Sequence, residues 1–205
     1  AKVFGVESEM IDNTRLAELY PGINTDGVLG ALYTPDDGQT NPIDTTMALA
    51  KGARMNGVEI FENTVMEELL TKDNVITGIR TDKGKVEVDQ VILCGGMWTR
   101  DLAKTVGVQL PIYTCEHSYI VTEEMEGLSQ RPVLRDYDRG LYYKEDAGKM
   151  LIGWFEDNAK GMSMDNITDD FCFGQFPCDQ DHVEPYVMNS IPFVSRYRKN
   201  TRGIY

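Results

Sequence analysis

The sequence is short of positive charge and of long apolar runs, and each shortage excludes a class of function. Its 205 residues include 20 Lys and Arg against 33 Asp and Glu, a formal net charge of −13. Nucleic acids and anionic membranes are bound by clustered basic side chains, and no such cluster occurs. No apolar run approaches the roughly 20 residues of a membrane span, and we expect no signal peptide. We therefore expect neither a nucleic-acid partner nor a membrane partner.

Metal ligands are also sparse. The chain has two histidines, His117 and His182, and its four cysteines include no Cys-x-x-Cys pair. The cysteines are Cys94, Cys115, Cys172 and Cys178. Because a zinc site needs about four such ligands at close spacing, no metal is expected. A chain of this length can bury a full core without disulfides, so we expect reduced thiols.

A further absence is the Gly-x-Gly-x-x-Gly motif, the phosphate-binding signature of dinucleotide domains. Gln90–Leu102 nevertheless has the pattern of a strand that approaches a nucleotide, since its apolar run stops at Gly95-Gly96. The alternating segment Glu116–Glu123 adds a histidine and a tyrosine on one face, which suits chemistry beside a cofactor. Together they favour a cofactor enzyme over a binding module. Either no nucleotide is bound, or the chain is a piece of a longer protein.

Local signals predict alternating helices and strands. Caps, prolines and glycines predict helices over Asp12–Tyr20, from Asn41 to Gly57, and over Thr99–Val106, Asp165–Phe173 and Asp181–Asn189. Apolar patterning predicts strands over Ala31–Thr34, Val58–Phe61, Thr64–Leu70, Val75–Thr81, Lys85–Val88, Val91–Cys94, Tyr113–Glu123, Gly140–Lys144 and Met150–Phe155. Thr99 is expected to cap its helix, and Gly84 to sit in a tight hairpin. On the second helix, the apolar face is expected to be Ile43, Met47, Ala50 and Ala53.

The pattern of predicted helices and strands differs between two parts of the chain, and together they predict a mixed α/β and α+β fold. Residues 40–109 have the pattern of a partial doubly wound nucleotide-binding domain. Residues 110–205 have the pattern of an antiparallel sheet with flanking helices, a substrate-binding arrangement. Residues 1–39 are expected to lead into that substrate domain.

Several motifs, in their order and spacing, resemble the sarcosine dehydrogenase and dimethylglycine dehydrogenase group. They are Leu32–Gly38, Asn41-Pro42, Ala50–Gly57, Cys94–Trp98, Cys115–Glu123, Pro132–Asp136, Leu141–Lys144, Gly153–Glu156 and Asp179–Pro185. The resemblance implies the D-amino-acid-oxidase type of fold and FAD-dependent oxidation of an N-methyl amino acid, sarcosine or dimethylglycine. It also implies an internal fragment, because the family's Gly-rich turn lies upstream of the matching region. The fragment alone is then expected to be inactive and to retain no FAD.

The resemblance implies flavin contacts at Val65, at Cys94-Gly95-Gly96 and near Trp98. At Val65 the family uses the matching backbone against the adenine end of FAD, whereas from sequence alone it is equally an ordinary core valine. The two glycines allow close backbone approach, although a simple strand-ending turn would have the same sequence. Trp98 is expected to pack beneath the cofactor or between domains.

His117 is the proposed catalytic residue, and Tyr142 is its partner. A lone histidine is more often a core residue than a catalyst, but the family's active-site histidine matches His117. The same matching selects Tyr142, whereas Tyr143 is expected to point to the opposite face of its strand. A cation for the substrate carboxylate is sought among Arg135, Arg139 and Lys144, each of which is also a plausible surface charge.

Two other classes of function remain open. One is a different flavin amino-acid oxidase, for glycine or D-amino acids. The other is a non-catalytic binding or assembly relative that keeps the scaffold. Expected partners of the enzyme are a small N-methyl amino acid, oxygen or an electron-transfer protein, and tetrahydrofolate through a domain outside this chain. Bacterial cytoplasm is the first expectation for location, and the mitochondrial matrix the second.

Overall fold

Backbone contacts divide the chain into two units. The computed structural model describes residues 1–128, 131–168, 171–172 and 174–193. Unit 1 consists of residues 1–39, 117–159 and the described part of 173–205, and unit 2 of residues 40–116 and the described part of 160–172. The expected domain boundaries near residues 39 and 109 stay a prediction.

Short antiparallel strands and a few helices make up the described part of the chain. In order they are β1 (Glu9–Ile11), α1 (Asn13–Leu19), β2 (Ala31–Tyr33), α2 (Pro42–Met55), β3 (Met66–Lys72), β4 (Val75–Thr81), β5 (Gly84–Glu87), α3 (Thr99–Lys104), β6 (Tyr119–Val121), β7 (Leu134–Asp136), β8 (Leu141–Asp146), β9 (Lys149–Trp154) and α4 (Gln180–Ser190). Single 3₁₀ turns lie at Lys2–Phe4, Gly96–Trp98 and Met164–Asn166. The combination confirms the predicted mixed class.

Side-chain caps fix where three of the helices begin. The carboxylate of Asp12 accepts the Arg15 N–H at 2.8 Å at the start of α1. Asn41 caps α2 by accepting the N–H of Ile43 at 2.9 Å, with Pro42 in the first turn as its sequence predicts. At α4 the same role belongs to Asp179. The N-terminal caps therefore satisfy backbone donors that a helix leaves unpaired.

Unit 1 is built on an antiparallel sheet in the order β6-β9-β8-β7. Strands β8 and β9 are joined by the tight turn Ala147-Gly148. Both turn residues have positive φ (53° and 79°), as the favoured two-residue hairpin requires. One face of this sheet packs on α4 and forms the core. Its buried side chains include Ile120, Leu141, Tyr143, Met150, Ile152, Trp154, Val183 and Val187. The other face carries the residues of the candidate site.

Unit 2 holds the three-stranded antiparallel sheet β3-β4-β5. Asp73 and Asn74 take positive φ in the turn between β3 and β4, which suits their short polar side chains. Gly84 has a φ of 131° where Thr81 pairs with it, so the predicted hairpin is confirmed. The predicted strands of this sheet are thus correct to within a few residues.

Two predicted strands of unit 2 are wrong. Val58–Phe61 and Val91–Cys94 form no strand in the described chain, and both carry exposed apolar side chains such as Phe61 and Ile92. An apolar run becomes a strand when a neighbouring strand pairs with its backbone, and neither run meets one among the described residues. The apolar face predicted for α2 is likewise not buried in this chain.

Three further predictions need correction. The strand expected over Tyr113–Glu123 is regular only over β6, with an isolated bridge from Cys115 to Gly161 before it. Thr99 is the first residue of α3 rather than its cap, because the preceding 3₁₀ turn leads directly into the helix. The helix expected over Asp165–Phe173 is a single 3₁₀ turn in its described part, and residues 169, 170 and 173 lie outside the described residues.

No helix in the part of the chain that the structure describes is both long enough and apolar enough to cross a membrane.

Candidate active site

A row of four residues crosses the sheet of unit 1 on the face opposite the core. Tyr119 of β6 pairs with Gly153 of β9, Gly153 with Tyr142 of β8, and Tyr142 with Arg135 of β7. Because side chains alternate along a strand, Tyr142 faces away from the core that buries Tyr143. Tyr142 and Tyr143 thus lie on opposite faces of the sheet, as the sequence predicts.

Gly153 creates the space in which the Tyr142 ring lies. A Cβ added to Gly153 would overlap the ring and hydroxyl of Tyr142. Glycine therefore lets the phenol lie across β9 in the direction of β6 instead of standing up from the sheet. This packing explains why a glycine lies within the strand, since a side chain there would displace the ring.

His117 meets this phenol just before β6 begins. Its Nε2 lies 3.2 Å from the Tyr142 hydroxyl oxygen. The Phe155 ring, which is exposed, packs against both partners, with centroids 5.6 Å from His117 and 5.5 Å from Tyr142. The side chain of His117 is 44% exposed. The two residues singled out from the sequence are therefore in contact, on an accessible aromatic surface.

Glu156 lies on the other side of the histidine ring, and sequence reasoning missed it. One carboxylate oxygen, Oε2, is 3.9 Å from Nδ1 of His117. The other, Oε1, accepts the indole N–H of Trp154 at 3.0 Å and is 3.8 Å from Nε2 of His182. Glu156 belongs to the Gly153–Glu156 motif, but nothing in that motif distinguishes a buried acid from a solvated strand end.

Both ionisable tyrosines of β8 are held in the neutral form. Burial raises the pKa of Tyr142, and the neighbouring Tyr119 raises it further. Arg135 lowers the pKa of Tyr142 and Glu156 raises it. Because burial is the largest of these effects, the net direction is upward. The phenol is thus an O–H donor at neutral pH, and Nε2 of His117 lies within hydrogen-bond distance of it.

The three basic candidates differ in their surroundings. Arg139 forms an ion pair with Asp136 at 2.5 Å. Arg135 is exposed and stands in register beside Tyr142. Lys144 shares the face of Tyr142, two residues further along β8. Of the three, Arg135 is therefore best placed to meet an anion beside the phenol.

The glycine segment of unit 2 has an open backbone. Cys94, Gly95 and Gly96 are exposed, and Gly96 has a φ of 54° with no heavy atom near the position of an added Cβ. At Gly95 an added Cβ would come within 3.2 Å of Thr99 Oγ1. Trp98, half-exposed, ends the 3₁₀ turn that follows.

Val65 is less open. Its N–H donates to the Asp82 carboxylate at 3.0 Å, and its carbonyl accepts the Asp82 N–H at 3.1 Å. Both backbone groups of Val65 are therefore already paired, while its side chain is exposed.

A family model described as DAO, FAD-dependent oxidoreductase, matches residues 1–191. The chain belongs to this family. The match confirms the family inferred from the resemblance. The description of the DAO family names FAD as its cofactor.

Several curated relatives match almost the whole chain. It is 39% identical over 182 residues to a 4-methylaminobutanoate oxidase (formaldehyde-forming) of Paenarthrobacter nicotinovorans, covering 88% of this chain and 22% of that protein. It is 30% identical over 204 residues to mitochondrial sarcosine dehydrogenase of Homo sapiens, covering 95% and 22%. It is also 32% identical over 195 residues to a mitochondrial pyruvate dehydrogenase phosphatase regulatory subunit of Mus musculus, covering 89% and 21%. The chain thus spans about a fifth of these relatives.

A solved structure gives the same fold. The L-proline dehydrogenase from P. horikoshii superposes with a TM-score of 0.81 at 19% identity, covering 100% of this chain and 52% of that chain. At this identity the likeness concerns the fold alone, and it agrees with the predicted DAO type.

The DAO family makes FAD the group to test against the residues present. The exposed backbone at Gly95-Gly96 fits a nucleotide, because neither residue has a Cβ to keep phosphate or ribose away and the space beside Gly96 is open. Cys94 and Trp98 flank that backbone and are exposed beside it. At Val65 only the side chain is free, so a flavin contact there would be apolar. All five positions stay predictions as flavin contacts.

Proposed function

We propose that the protein containing this chain oxidises an N-methyl amino acid in an FAD-dependent reaction. The observation that carries the proposal is the 3.2 Å contact of His117 Nε2 with the Tyr142 hydroxyl. It occurs in a DAO-family chain whose relatives include proteins named for sarcosine and 4-methylaminobutanoate. Sarcosine, dimethylglycine and 4-methylaminobutanoate are the substrates to compare.

The chemistry explains why a histidine and a tyrosine would be needed. An N-methyl amine is a cation at neutral pH, and its nitrogen lone pair is occupied by a proton. Loss of a hydride from the methyl carbon leaves an iminium, which requires that lone pair. When bound, FAD supplies the hydride acceptor. The site must therefore remove one proton from nitrogen before the carbon–hydrogen bond breaks.

His117 is the proposed acceptor of that proton. Its Nε2 faces the Tyr142 hydroxyl, and its ring is accessible on the open face of the sheet. Tyr142, protonated at neutral pH, donates a hydrogen bond to Nε2 or to the substrate and can relay a proton between them. The hydrolysis of the iminium then releases the methyl carbon as formaldehyde and leaves the demethylated amine.

Two further contacts are proposed for the rest of the substrate. Phe155 offers an exposed aromatic face beside His117 and Tyr142, which suits a methylammonium group before it loses its proton. Arg135 is proposed to hold the substrate carboxylate, because Arg139 is already paired with Asp136. An amine without a carboxylate should therefore bind more weakly.

The experiment uses the intact flavoprotein under anaerobic conditions. Its visible spectrum is followed after addition of sarcosine, dimethylglycine or 4-methylaminobutanoate, with glycine and D-alanine as unmethylated controls. Bleaching by one of the N-methyl amines and not by the controls supports the proposal and ranks the substrates. Bleaching by glycine or D-alanine alone would replace it with another amino-acid oxidase. Reoxidation by oxygen, compared with an artificial electron acceptor, then distinguishes an oxidase from a dehydrogenase.

A non-catalytic role is the second candidate, favoured by the 32% identity to a phosphatase regulatory subunit. It predicts an intact protein that purifies without flavin, or with a flavin that no amine reduces. Tetrahydrofolate as acceptor of the one-carbon unit, and an electron-transfer protein, are proposed partners of the enzymatic alternative only. A bacterial cytoplasmic location is proposed first, since the 39% identical relative is bacterial.

A further inference from the structure

Glu156 is a buried acid to which the mechanism above gives no task. It lies two residues beyond the end of β9, and its side chain is 4% exposed. A carboxylate removed from water needs donors or cations to compensate its charge. Among the described residues its ion-pair partners are the two histidines, His117 and His182, and its hydrogen-bond donor is Trp154.

The two ring nitrogens of His117 face different groups. Nε2 lies 3.2 Å from the Tyr142 hydroxyl, and Nδ1 lies 3.9 Å from Oε2 of Glu156. A neutral imidazole carries one N–H, and an ionised carboxylate can only accept. The arrangement therefore favours the N–H at Nδ1 and leaves the lone pair of Nε2 directed at the phenol. A separation of 3.9 Å is an ion-pair distance, and such contacts commonly shorten when substrate binds.

We propose that Glu156 is a positioning residue that holds the Nδ1 proton of His117, so that Nε2 is free to accept a proton from Tyr142 or from the substrate amine. This inference rests on the proposed function. Once Nε2 has accepted the proton, the same carboxylate faces the imidazolium and stabilises it. No electron transfer occurs in this step. The proton leaves the substrate nitrogen and reaches Nε2 either directly or through Tyr142, whose hydroxyl takes the proton from nitrogen as it gives its own to Nε2, so the phenol ends neutral.

The charged and titratable groups around Tyr142 and Glu156 come from strands of the sheet and from α4. Tyr142 on β8 faces Arg135 on β7 and Tyr119 on β6. Glu156 faces His182, in the first turns of α4, through its Oε1. The oxygen nearest His117 is Oε2, whereas Trp154 and His182 contact Oε1. Among the described residues, one carboxylate oxygen is therefore directed at the proposed proton acceptor.

Glu156→Gln is the decisive variant. The amide keeps the shape and can still accept the Trp154 N–H, but its NH₂ can donate to Nδ1. The N–H of His117 would then move to Nε2, which is the wrong tautomer for accepting a proton. Asp136→Asn is the matched control, since Asp136 is a paired acid of the same sheet with an 8% exposed side chain.

Anaerobic stopped-flow reduction of the intact flavoprotein by its best N-methyl amine gives the first readout. Against wild type, His117→Gln is expected to slow reduction about 10²-fold or more, and Glu156→Gln at least about tenfold with substrate Kd little changed. In the double variant reduction should be no slower than in His117→Gln alone. The inference is overturned if the slowing factors of the two single variants multiply in the double variant. It is also overturned if Asp136→Asn slows reduction as much as Glu156→Gln does.

The second readout is the tautomer itself, measured in protein labelled with ¹⁵N-histidine. The His117 signals are those lost in His117→Gln. At a pH where the ring is neutral, Nδ1 should carry the proton in the wild type and Nε2 in Glu156→Gln. An unchanged tautomer would overturn the inference. If no N-methyl amine reduces the flavin, the proposed function fails instead, whichever tautomer is found. If an N-methyl amine reduces the flavin but His117→Gln is as fast as wild type, the function stands and the inference is overturned.

Discussion

The Tyr142 ring lies over the backbone of Gly153, where an added Cβ would overlap it. Gly153→Ala should therefore push the phenol away from His117 and slow flavin reduction about tenfold or more, since a displacement near 1 Å at a reacting group is costly. The intact flavoprotein and the anaerobic assay above provide the measurement. Gly52→Ala on α2 is the control, because its added Cβ meets open space. Unchanged reduction in Gly153→Ala would remove this packing role.

Tyr143, which faces the core, should control alkaline stability. Burial raises the pKa of its phenol far above the ordinary value of about 10. A group whose pKa is raised on folding stabilises the protein below the unfolded pKa, and that stability is lost as pH rises. The free energy of unfolding of the wild type should therefore fall above pH about 10.

Tyr143→Phe tests this directly by urea denaturation across the alkaline range. The variant loses the hydrogen bond to the Ser190 carbonyl, which should lower stability by about 1 kcal/mol at neutral pH. Its stability should then fall less steeply than that of the wild type above pH about 10. Parallel curves for the two proteins would contradict a buried, titrating phenol. Tyr137→Phe, at an exposed tyrosine, is the matched control.

Tyr142 should remain a donor throughout the neutral range. Its pKa is raised mainly by burial, so its ionisation lies above the ordinary value of about 10. The rate of flavin reduction should show no loss from phenol ionisation below that pH. A pH series on the wild type and on Tyr142→Phe measures it. A loss with a midpoint well below pH 10 that Tyr142→Phe abolishes would mean the phenol ionises earlier.

The α2 cap should contribute measurably to unfolding. Asn41→Ala removes the side-chain acceptor for Ile43 and Asp44, and should lower the free energy of unfolding by about 1 kcal/mol. Lys51→Ala, exposed on the same helix, should change it little. Chemical denaturation followed by circular dichroism gives both values. Equal effects of the two substitutions would show that the cap contributes nothing.

Where local chemistry decides the structure, the sequence was a sufficient guide. Asn41-Pro42 starts a helix because one residue supplies the acceptor and the next a fixed φ, and both act within one turn. The alternation of β8 likewise placed Tyr142 and Tyr143 on opposite faces. The family resemblance, carried by motif spacing, was confirmed by the match over residues 1–191.

Predictions failed where structure depends on partners distant in sequence. Val91–Cys94 has the apolar character of a strand, yet strand formation depends on a neighbour that patterning cannot supply. Glu156 was missed for a similar reason. Its contacts come from His117, 39 positions earlier, and from His182, 26 positions later, and no local pattern marks that meeting. The catalytic roles of His117 and Tyr142 stay predictions.

The two-residue turn Ala147-Gly148 fixes which side chains can ever meet across β8 and β9. If the turn keeps two residues, inserting or deleting one residue there exchanges the faces of one strand relative to the other, so that Tyr143 takes the place of Tyr142 and the glycine lies beneath the wrong ring. A change of odd length is therefore compatible with the site only where a longer loop absorbs it and leaves the strand register unchanged. A hairpin end with no reacting group thus constrains which descendants of this sequence can keep the proposed activity.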